Sequence, residues 1–132
     1  VAEWLEAGVE PAAIGIAARS SMLADSAIAV LERSGIPSKS LAKAREEDGV
    51  VRAGTMHRMK GLEFRCVAVI GAGEHQLPPP SAITPADEDE LTHAHDLQRE
   101  RCLLFVACTR ARERLYVSWH GAPSPFLISQ DG

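Results

Sequence analysis

Short apolar runs that alternate with amphipathic segments constrain the fold of this chain more than any other feature. The runs at 14–18 (IGIAA) and 67–72 (VAVIGA) are long enough for buried strands and too short for helices. Between them, apolar residues recur at three- and four-residue steps from Ser20 to Gly35, with serine as a candidate N-cap and glycine as the stop, which predicts a helix. Strands that alternate with helices favour an α/β domain with a mainly parallel sheet flanked by helices.

The rest of the chain extends this pattern. A short amphipathic helix is predicted at 1–7, and a longer helix from the end of the loop at 73–90 to about Arg112. Additional short strands are predicted at 36–41, 50–53 and 115–119. The longer helix is expected to have one face made of Leu97, Arg101, Leu104, Cys108 and Ala111.

The length and composition are those of one globular domain. The chain has 132 residues, of which 45% are apolar and 24% charged, so we expect a single domain over 1–132 with one hydrophobic core. The chain begins inside a helical pattern, VAEWLEAG, and we therefore expect it to be a piece of a longer protein. The net charge of −4 provides no general attraction to nucleic acid, so any contact with a phosphate backbone requires a local basic patch.

Cysteine usage and hydropathy limit the compartment. Cys66, Cys102 and Cys108 lie in apolar runs without a C-x-x-C spacing, which indicates reduced core thiols in a cytoplasmic protein rather than a disulfide scaffold. No apolar run approaches the roughly 20 residues of a membrane-spanning helix, so no membrane partner is expected.

Polar residues crowd the approach to the strand predicted at 67–72. The segment TMHRMKGLEF at 55–64 contains Thr55, His57, Lys60 and Glu63. Because ligands of open parallel sheets bind beyond the carboxyl ends of the strands, a cluster that follows the strand at 50–53 is expected at a functional edge. An ordinary capped turn with solvated charges is the alternative interpretation.

Two arginines follow buried segments and are further candidates. Arg110 comes after the apolar run LLFVAC, and its planar fork of donors suits a phosphoryl group. The alternative is an arginine that complements the dipole at a helix C-terminus. Arg19 directly follows the strand at 14–18, where it can meet an anion, and the alternative there is an ordinary surface arginine.

Other polar features are interpreted as structural. The acidic run at 87–90 (DEDE) is expected to be a solvated loop and helix start, because carboxylates favour helix N-termini. His93 and His95 diverge on a helix, so we expect surface positions and no metal site. No G-x-x-x-x-G-K-[ST] pattern occurs, so the chain has no phosphate-cradling loop of its own.

In their order along the chain, these segments resemble motifs of the UvrD/Rep-type superfamily 1 DNA helicases. IGIAARS and the helix after it resemble motif IV, TMHRMKGLEFRCVAVIG resembles motif V, and QRERCLLFVACTRARERLYVS resembles motif VI. The resemblance runs from about Ile14 to Val117 and is to the second, C-terminal motor domain of these enzymes. It implies a RecA-like fold of the P-loop NTPase type that lacks its own Walker A loop. One departure is Cys102, which stands where the family often has the second of two adjacent arginines.

The resemblance implies roles for individual residues in the ATP site. Arg110 matches the catalytic arginine finger, which reaches the γ-phosphate of an ATP molecule held by the first motor domain. Arg19 matches the motif IV arginine that also approaches the phosphates. Glu63 matches a glutamate that contacts the sugar side of the nucleotide.

The same resemblance implies contacts with DNA. Thr55 and His57 match residues that lie toward single-stranded DNA and the domain interface, where they couple DNA to the nucleotide. Lys60 is placed in this group by its position in the motif. Threonine and histidine can hold phosphates without reading sequence, so a chain with net negative charge can still contact DNA through a local surface.

For the whole protein, the resemblance implies an ATP-dependent DNA helicase or translocase. Its cofactors are ATP and Mg²⁺, bound mainly by a first motor domain that is not in this sequence. The expected partners are single-stranded DNA and the N-terminal RecA-like domain of the same protein, and the chain alone is expected to be monomeric and inactive. The alternative is a non-catalytic interaction module that retains the fold, although intact Arg110 and Glu63 argue against it.

Overall fold

Eight regular elements form a three-layer arrangement in the computed structural model, which describes residues 1–127. The helices are α1 (Ala2–Glu6), α2 (Ser21–Arg33) and α3 (Glu90–Thr109). The strands are β1 (Ile14–Ala18), β2 (Ser38–Ser40), β3 (Val51–Thr55), β4 (Phe64–Val69) and β5 (Ala111–Val117). All neighbouring strands are parallel, in the order β2-β3-β1-β4-β5. The predicted α/β class with a parallel sheet is therefore confirmed.

Helices cover both faces of the sheet, as a parallel sheet requires. Leu31 of α2 and apolar residues of α1 pack on Ile14, Ile16 and Val51 on one face. Leu104 and other residues of α3 pack on the opposite face. The predicted N-cap of α2 is confirmed, because Ser20 Oγ accepts a hydrogen bond from the Leu23 N–H at 3.3 Å.

Close packing at the amino edge of the sheet depends on a glycine. Phe64, the first residue of β4, is 1% exposed and lies against Gly15 of β1. A Cβ atom at Gly15 would come within 2.8 Å of the Phe64 ring, so a larger residue there would displace the ring. The guanidinium carbon of Arg52 lies 4.6 Å from the centroid of the same ring, a cation–π arrangement. These contacts hold the beginning of β4.

The last two strands differ from their predicted limits. β4 was predicted at 67–72 and occupies Phe64–Val69, while β5 was predicted at 115–119 and occupies Ala111–Val117. The Phe64 N–H donates to the Arg110 carbonyl at 2.9 Å, and Phe64 pairs with Ala111, so pairing starts as soon as α3 ends. The first part of β5 reads ARER and its side chains are largely exposed, because β5 is an edge strand. The sequence therefore has no apolar pattern from which the start of β5 could be predicted.

The buried side of α3 also differs from the expected face. Of the five residues expected to share it, only Leu104 is buried, Arg101 is exposed and Ala111 belongs to β5. The side that packs on the molecule instead contains Asp96, Glu100, Leu104 and Ala107. Helical periodicity is recognised in a sequence from its apolar residues. The two carboxylates on this packed face therefore obscure the pattern. Within residues 1–127, no helix is both long and apolar enough to cross a membrane.

Candidate functional site

The carboxyl edge of the sheet brings together the ends of β1 and β3. Thr55, the last residue of β3, pairs in register with Ala18, which directly precedes Arg19. Arg19 and Thr55 are therefore neighbours at the edge where ligands of parallel sheets bind. The sequence predicted both of them at this edge, and the structure places them there.

Arg19 is held by a buried carboxylate that the sequence analysis missed. Its Nε donates to Glu100 Oε2 at 2.7 Å and one terminal nitrogen donates to Oε1 at 2.8 Å, so the pair is bidentate. The side chain of Glu100 is 1% exposed and that of Arg19 is 20% exposed. Hydrogen bonding to Glu100 raises the pKa of Arg19, with burial acting in the opposite direction. Arg19 is thus not the free surface arginine of the alternative interpretation.

The segment after β3 crosses one face of the sheet beside α3. Residues Met56–Met59 form a 3₁₀ turn in which both methionines are buried with Leu104 and Ala107 of the same core cluster. The side chains of His57 and Lys60 are exposed. The methionines anchor this turn against the helix, while its polar residues face outward.

A cavity of about 240 Å³ lies between this turn and α3. Its apolar lining comes from Met56, Cys102, Leu103 and Val106, and its cationic or titratable lining from His57, Lys60 and Arg99. Arg99 is not free, because it pairs with Asp96 at 3.1 Å. The structure therefore brings His57 and Lys60, which are three residues apart, to one cavity.

Glu63 and Arg110 both lie at the opposite, amino edge of the sheet. Glu63 immediately precedes Phe64, whose N–H donates to the Arg110 carbonyl at 2.9 Å. The Arg110 Nε donates to the Val106 carbonyl at 3.1 Å, one turn back along α3. This helix-end contact is the alternative that the sequence analysis left open, and in this conformation it is present.

From its position after β3, the whole polar cluster at 55–63 was expected at the carboxyl edge. This prediction is wrong, because the cluster extends from one edge of the sheet to the other. Thr55 is at the carboxyl edge and Glu63 at the amino edge, separated by the length of the six-residue strand β4, about 20 Å. The physical reason is that two parallel strands can be joined only by a segment that returns along the sheet. The cluster is a crossover rather than a local turn.

Arg52 is a second charged residue that the sequence analysis missed. It is 7% exposed, donates to the Ala12 carbonyl at 3.1 Å and stacks on Phe64, but its Nε has no hydrogen-bond partner among residues 1–127. It lines a polar cavity of about 360 Å³ at the amino edge together with Glu63 and Arg112. The signal available in the sequence was a single arginine within an otherwise apolar predicted strand.

The acidic run at 87–90, the two histidines on α3 and the three cysteines agree only in part with their predictions. α3 begins inside the acidic run, and Asp89 accepts hydrogen bonds from the Leu91 and Thr92 N–H groups, which lowers its pKa. The Nδ1–H of His93 donates a hydrogen bond to the Thr84 carbonyl at 2.8 Å, and His95 is exposed. The cysteines are free, but Cys102 is exposed, so the interpretation of all three as core thiols was wrong.

Comparison with known proteins identifies a family that this chain resembles over most of its length. Residues 16–122 match the family model described as the UvrD-like helicase C-terminal domain. YjcD of Bacillus subtilis (strain 168), to which ATP-dependent DNA helicase activity is ascribed, is 38% identical over 81 residues, 61% of this chain and 10% of that protein. ATP-dependent DNA helicase PcrA of Staphylococcus aureus (strain Mu50) is 41% identical over 76 residues, 58% of this chain and 10% of that protein. The chain thus spans about a tenth of the length of these relatives.

A solved structure supports the fold. The C-terminal domain of a possible DNA helicase from Lactobacillus plantarum WCFS1 matches with a TM-score of 0.64 over 98% of this chain and 69% of that chain. The sequence identity is 20%, so this similarity is one of fold.

Proposed function

Because the chain belongs to the UvrD-like helicase C-terminal domain family, we propose that it is the C-terminal motor domain of an ATP-dependent DNA helicase or translocase. In this proposal the domain completes an ATP site formed with the N-terminal RecA-like domain of the same protein, and it also contacts single-stranded DNA. One observation carries the proposal: a single crossover leads from Thr55 at one edge of the sheet to Glu63 at the other, and its buried methionines pack against α3.

Arg110 is the arginine finger in this proposal. Its backbone is fixed by the hydrogen bond from Phe64 and by the end of α3, whereas its side chain is only half-buried. The guanidinium is held by the Val106 carbonyl and by Thr109 Oγ1, at 3.1 and 3.2 Å, which are contacts that an incoming phosphate can replace. Arginine supplied across a domain interface stabilises the charge that develops on a transferring phosphoryl group.

Arg19 and Glu63 are the further nucleotide contacts in this proposal, with Arg19 reaching from the carboxyl edge toward α3 and Glu63 standing at the amino edge. Glu100 occupies the Nε and one terminal nitrogen of Arg19, which leaves the second terminal nitrogen to donate to a phosphate. Glu63 is exposed and lines a cavity with Arg52 and Arg112, where its carboxylate can accept hydrogen bonds from sugar hydroxyls.

The residues present fit half of an ATP site. Arg19 and Arg110 offer charge-assisted donors to phosphates, but the sequence contains no loop that cradles them. Among residues 1–127 no group of three or more potential ligands is gathered for a metal ion. In this proposal Mg²⁺ is bound mainly by the N-terminal motor domain, as the family resemblance implies. ATP with Mg²⁺ supplies the phosphoryl group, and this domain supplies cations that stabilise its charge.

Thr55, His57 and Lys60 form the DNA side of the proposal. The hydroxyl of Thr55 stands at the carboxyl edge, while His57 and Lys60 are exposed on the crossover. All three side chains can donate hydrogen bonds to backbone phosphates, which position a strand without reading its sequence. In this proposal the crossover is the segment that couples the DNA contacts to Glu63.

ATP hydrolysis by the longer protein that contains this chain tests the proposal. We expect hydrolysis to need Mg²⁺ and to be stimulated by single-stranded DNA. A protein that binds neither ATP nor single-stranded DNA would instead support the other candidate, a non-catalytic interaction module with the same fold.

A further inference from the structure

A polar cavity lies at the carboxyl edge of the sheet, where β2, β3 and β1 end side by side. Its volume is about 300 Å³. Three segments enclose it: the first turns of α2, the turn after β2, and the end of β3 with the residues that follow. Its polar lining consists of Ser21, Asp25, Ser40, Lys43, Thr55 and Arg58.

Two cations in this lining have no carboxylate partner. Lys43 follows β2 and Arg58 follows β3, and both side chains are exposed. Within residues 1–127, the ion pairs closer than 4.0 Å include neither of them. Asp25 is the one carboxylate among the lining residues, so the lining carries a net charge of +1.

The position of Lys43 is fixed by the turn that carries it. The N–H groups of Lys43 and Ala44 donate to the Ser40 carbonyl at 3.0 and 2.9 Å, and Leu41 N–H donates to the Ala53 carbonyl at 2.8 Å. The Leu41 side chain packs where Gly54 has no Cβ, since an added Cβ would meet it at 2.7 Å. The turn is therefore seated on β3, and Lys43 is held beside Thr55 rather than left on a loose loop.

Neutral donors surround the two cations. Ser21 and Thr55, which carry hydroxyl groups, also line the cavity, and the first backbone N–H groups of the 13-residue helix α2 lie at the same edge. Helix N-termini favour anions. The N-terminus of α2 therefore adds to the attraction that Lys43 and Arg58 exert on a negatively charged group. Converging cations, hydroxyls and amides suit the oxygens of a phosphate group.

We propose that this cavity binds a backbone phosphate of single-stranded DNA, with Lys43 and Arg58 as the contacting cations. The inference rests on the proposed function and extends its DNA surface by two residues. A phosphodiester carries one negative charge, which matches the net +1 of the lining, whereas a nucleoside triphosphate carries several and would remain largely unneutralised. Such a contact positions the strand and is independent of base sequence.

Salt dependence of DNA binding tests the inference. The affinity of the longer protein for a fluorescent oligothymidylate would be measured by anisotropy over a range of salt concentrations. Each phosphate contact on a single strand contributes roughly 0.7 to the slope of log affinity against log salt. Because both cations contact the same phosphate, we expect the double variant Lys43→Gln with Arg58→Gln to reduce the slope by about 0.7, and each single variant to reduce it by a smaller amount.

The matched control is Arg33→Gln. It removes one positive charge from an exposed residue at the other end of α2 and should leave the slope unchanged. Thermal melting would show that the variants fold as the wild type does, because Lys43 and Arg58 are exposed. ATP affinity, measured in parallel without DNA, should not change in the double variant.

The outcomes separate this inference from the proposed function. A wild-type slope in the double variant would overturn the inference while the DNA-binding motor remained supported. Loss of ATP affinity with an unchanged slope would assign the cavity to the nucleotide and overturn it as well. Absence of any strand binding by the wild-type protein would remove both the inference and the proposed DNA contact.

Discussion

At the scale of single residues, Arg110 has two possible partners, its own helix end and a phosphate. If the phosphate is held only when two motor domains close, the guanidinium stabilises the transition state more than bound ATP. Arg110→Ala in the longer protein should then lower single-turnover hydrolysis by a factor on the order of 10³–10⁵, the range for arginine fingers, with ATP affinity and melting temperature nearly unchanged. Arg110→Lys should restore little, because a point charge lacks paired donors.

Arg114→Ala is the matched control for this measurement. Arg114 lies on the exposed edge strand β5, so its removal should leave hydrolysis near the wild-type rate. Normal turnover in Arg110→Ala would reduce Arg110 to a charge at a helix end and remove the main support for the motor proposal.

Glu100 illustrates a residue whose importance comes from burial. Breaking a buried ion pair by removing one partner costs roughly 3–5 kcal/mol, and we expect Glu100→Gln to cost less than this because the Arg19 side chain is 20% exposed and can gain water. The free energy of unfolding, measured with urea, should fall accordingly. The double variant Arg19→Met with Glu100→Leu should recover much of the loss, since it leaves no unpaired charge. A double variant no more stable than Glu100→Gln would contradict the assignment of the loss to an unpaired charge.

At the scale of elements, the crossover and α3 act as one packed unit. We expect His57→Ala in the longer protein to weaken the stimulation of ATP hydrolysis by single-stranded DNA, because His57 is on the exposed side of the crossover and the buried methionines keep the segment in place. ATP affinity should change little. The comparison is a titration of hydrolysis rate with DNA, with His95→Ala, an exposed histidine on α3, as control. Unchanged stimulation combined with lost ATP affinity would put the residue on the nucleotide side.

The start of α3 anchors the preceding loop through Asp96. Its carboxylate accepts a hydrogen bond from the Thr84 N–H at 2.8 Å, which is the main cause that lowers its pKa, with the nearby Arg99 adding to it. A depressed folded-state pKa gives stability that is present above the unfolded pKa of about 3.9 and is lost as pH falls through the folded value. Asp96→Asn should therefore unfold more easily at neutral pH and lose less stability on acidification. Asp87→Asn, in the exposed acidic run, is the control for urea unfolding at several pH values.

At the scale of the whole molecule, the proposed function gives this domain half of a nucleotide site. Its arginines can stabilise phosphate charge, but the sequence has no phosphate-cradling loop. We expect the purified 132-residue chain to be monomeric and to show no hydrolysis of ATP, with or without single-stranded DNA. The check is phosphate release together with light scattering. DNA-stimulated turnover by this chain, abolished by Arg110→Ala, would show that a complete site lies within it.

The sequence by itself determined the elements whose signals are local. The buried strand β1, the capped helix α2 and a helix start in the acidic run at 87–90 follow from apolar runs, a capping residue and the preference of carboxylates for helix N-termini, which depend on near neighbours in the chain. The motif residues at 55–63 and at Arg110 could also be selected from the sequence, because their types and spacing form a recognisable pattern.

Only the tertiary structure decided where the strands begin, which charged residues are buried, and at which edge of the sheet the motif residues lie. Strand pairing between Phe64 and Ala111 set the beginnings of β4 and β5, and an edge strand without apolar periodicity carries no local signal for that. Burial of Glu100 became favourable through its pairing with Arg19, 81 residues away in the chain. The crossover placed Glu63 at the edge opposite Thr55 because parallel pairing forces the chain to return along the sheet. Each of these outcomes depends on contacts between residues distant in sequence, and local patterns contain no information about such contacts.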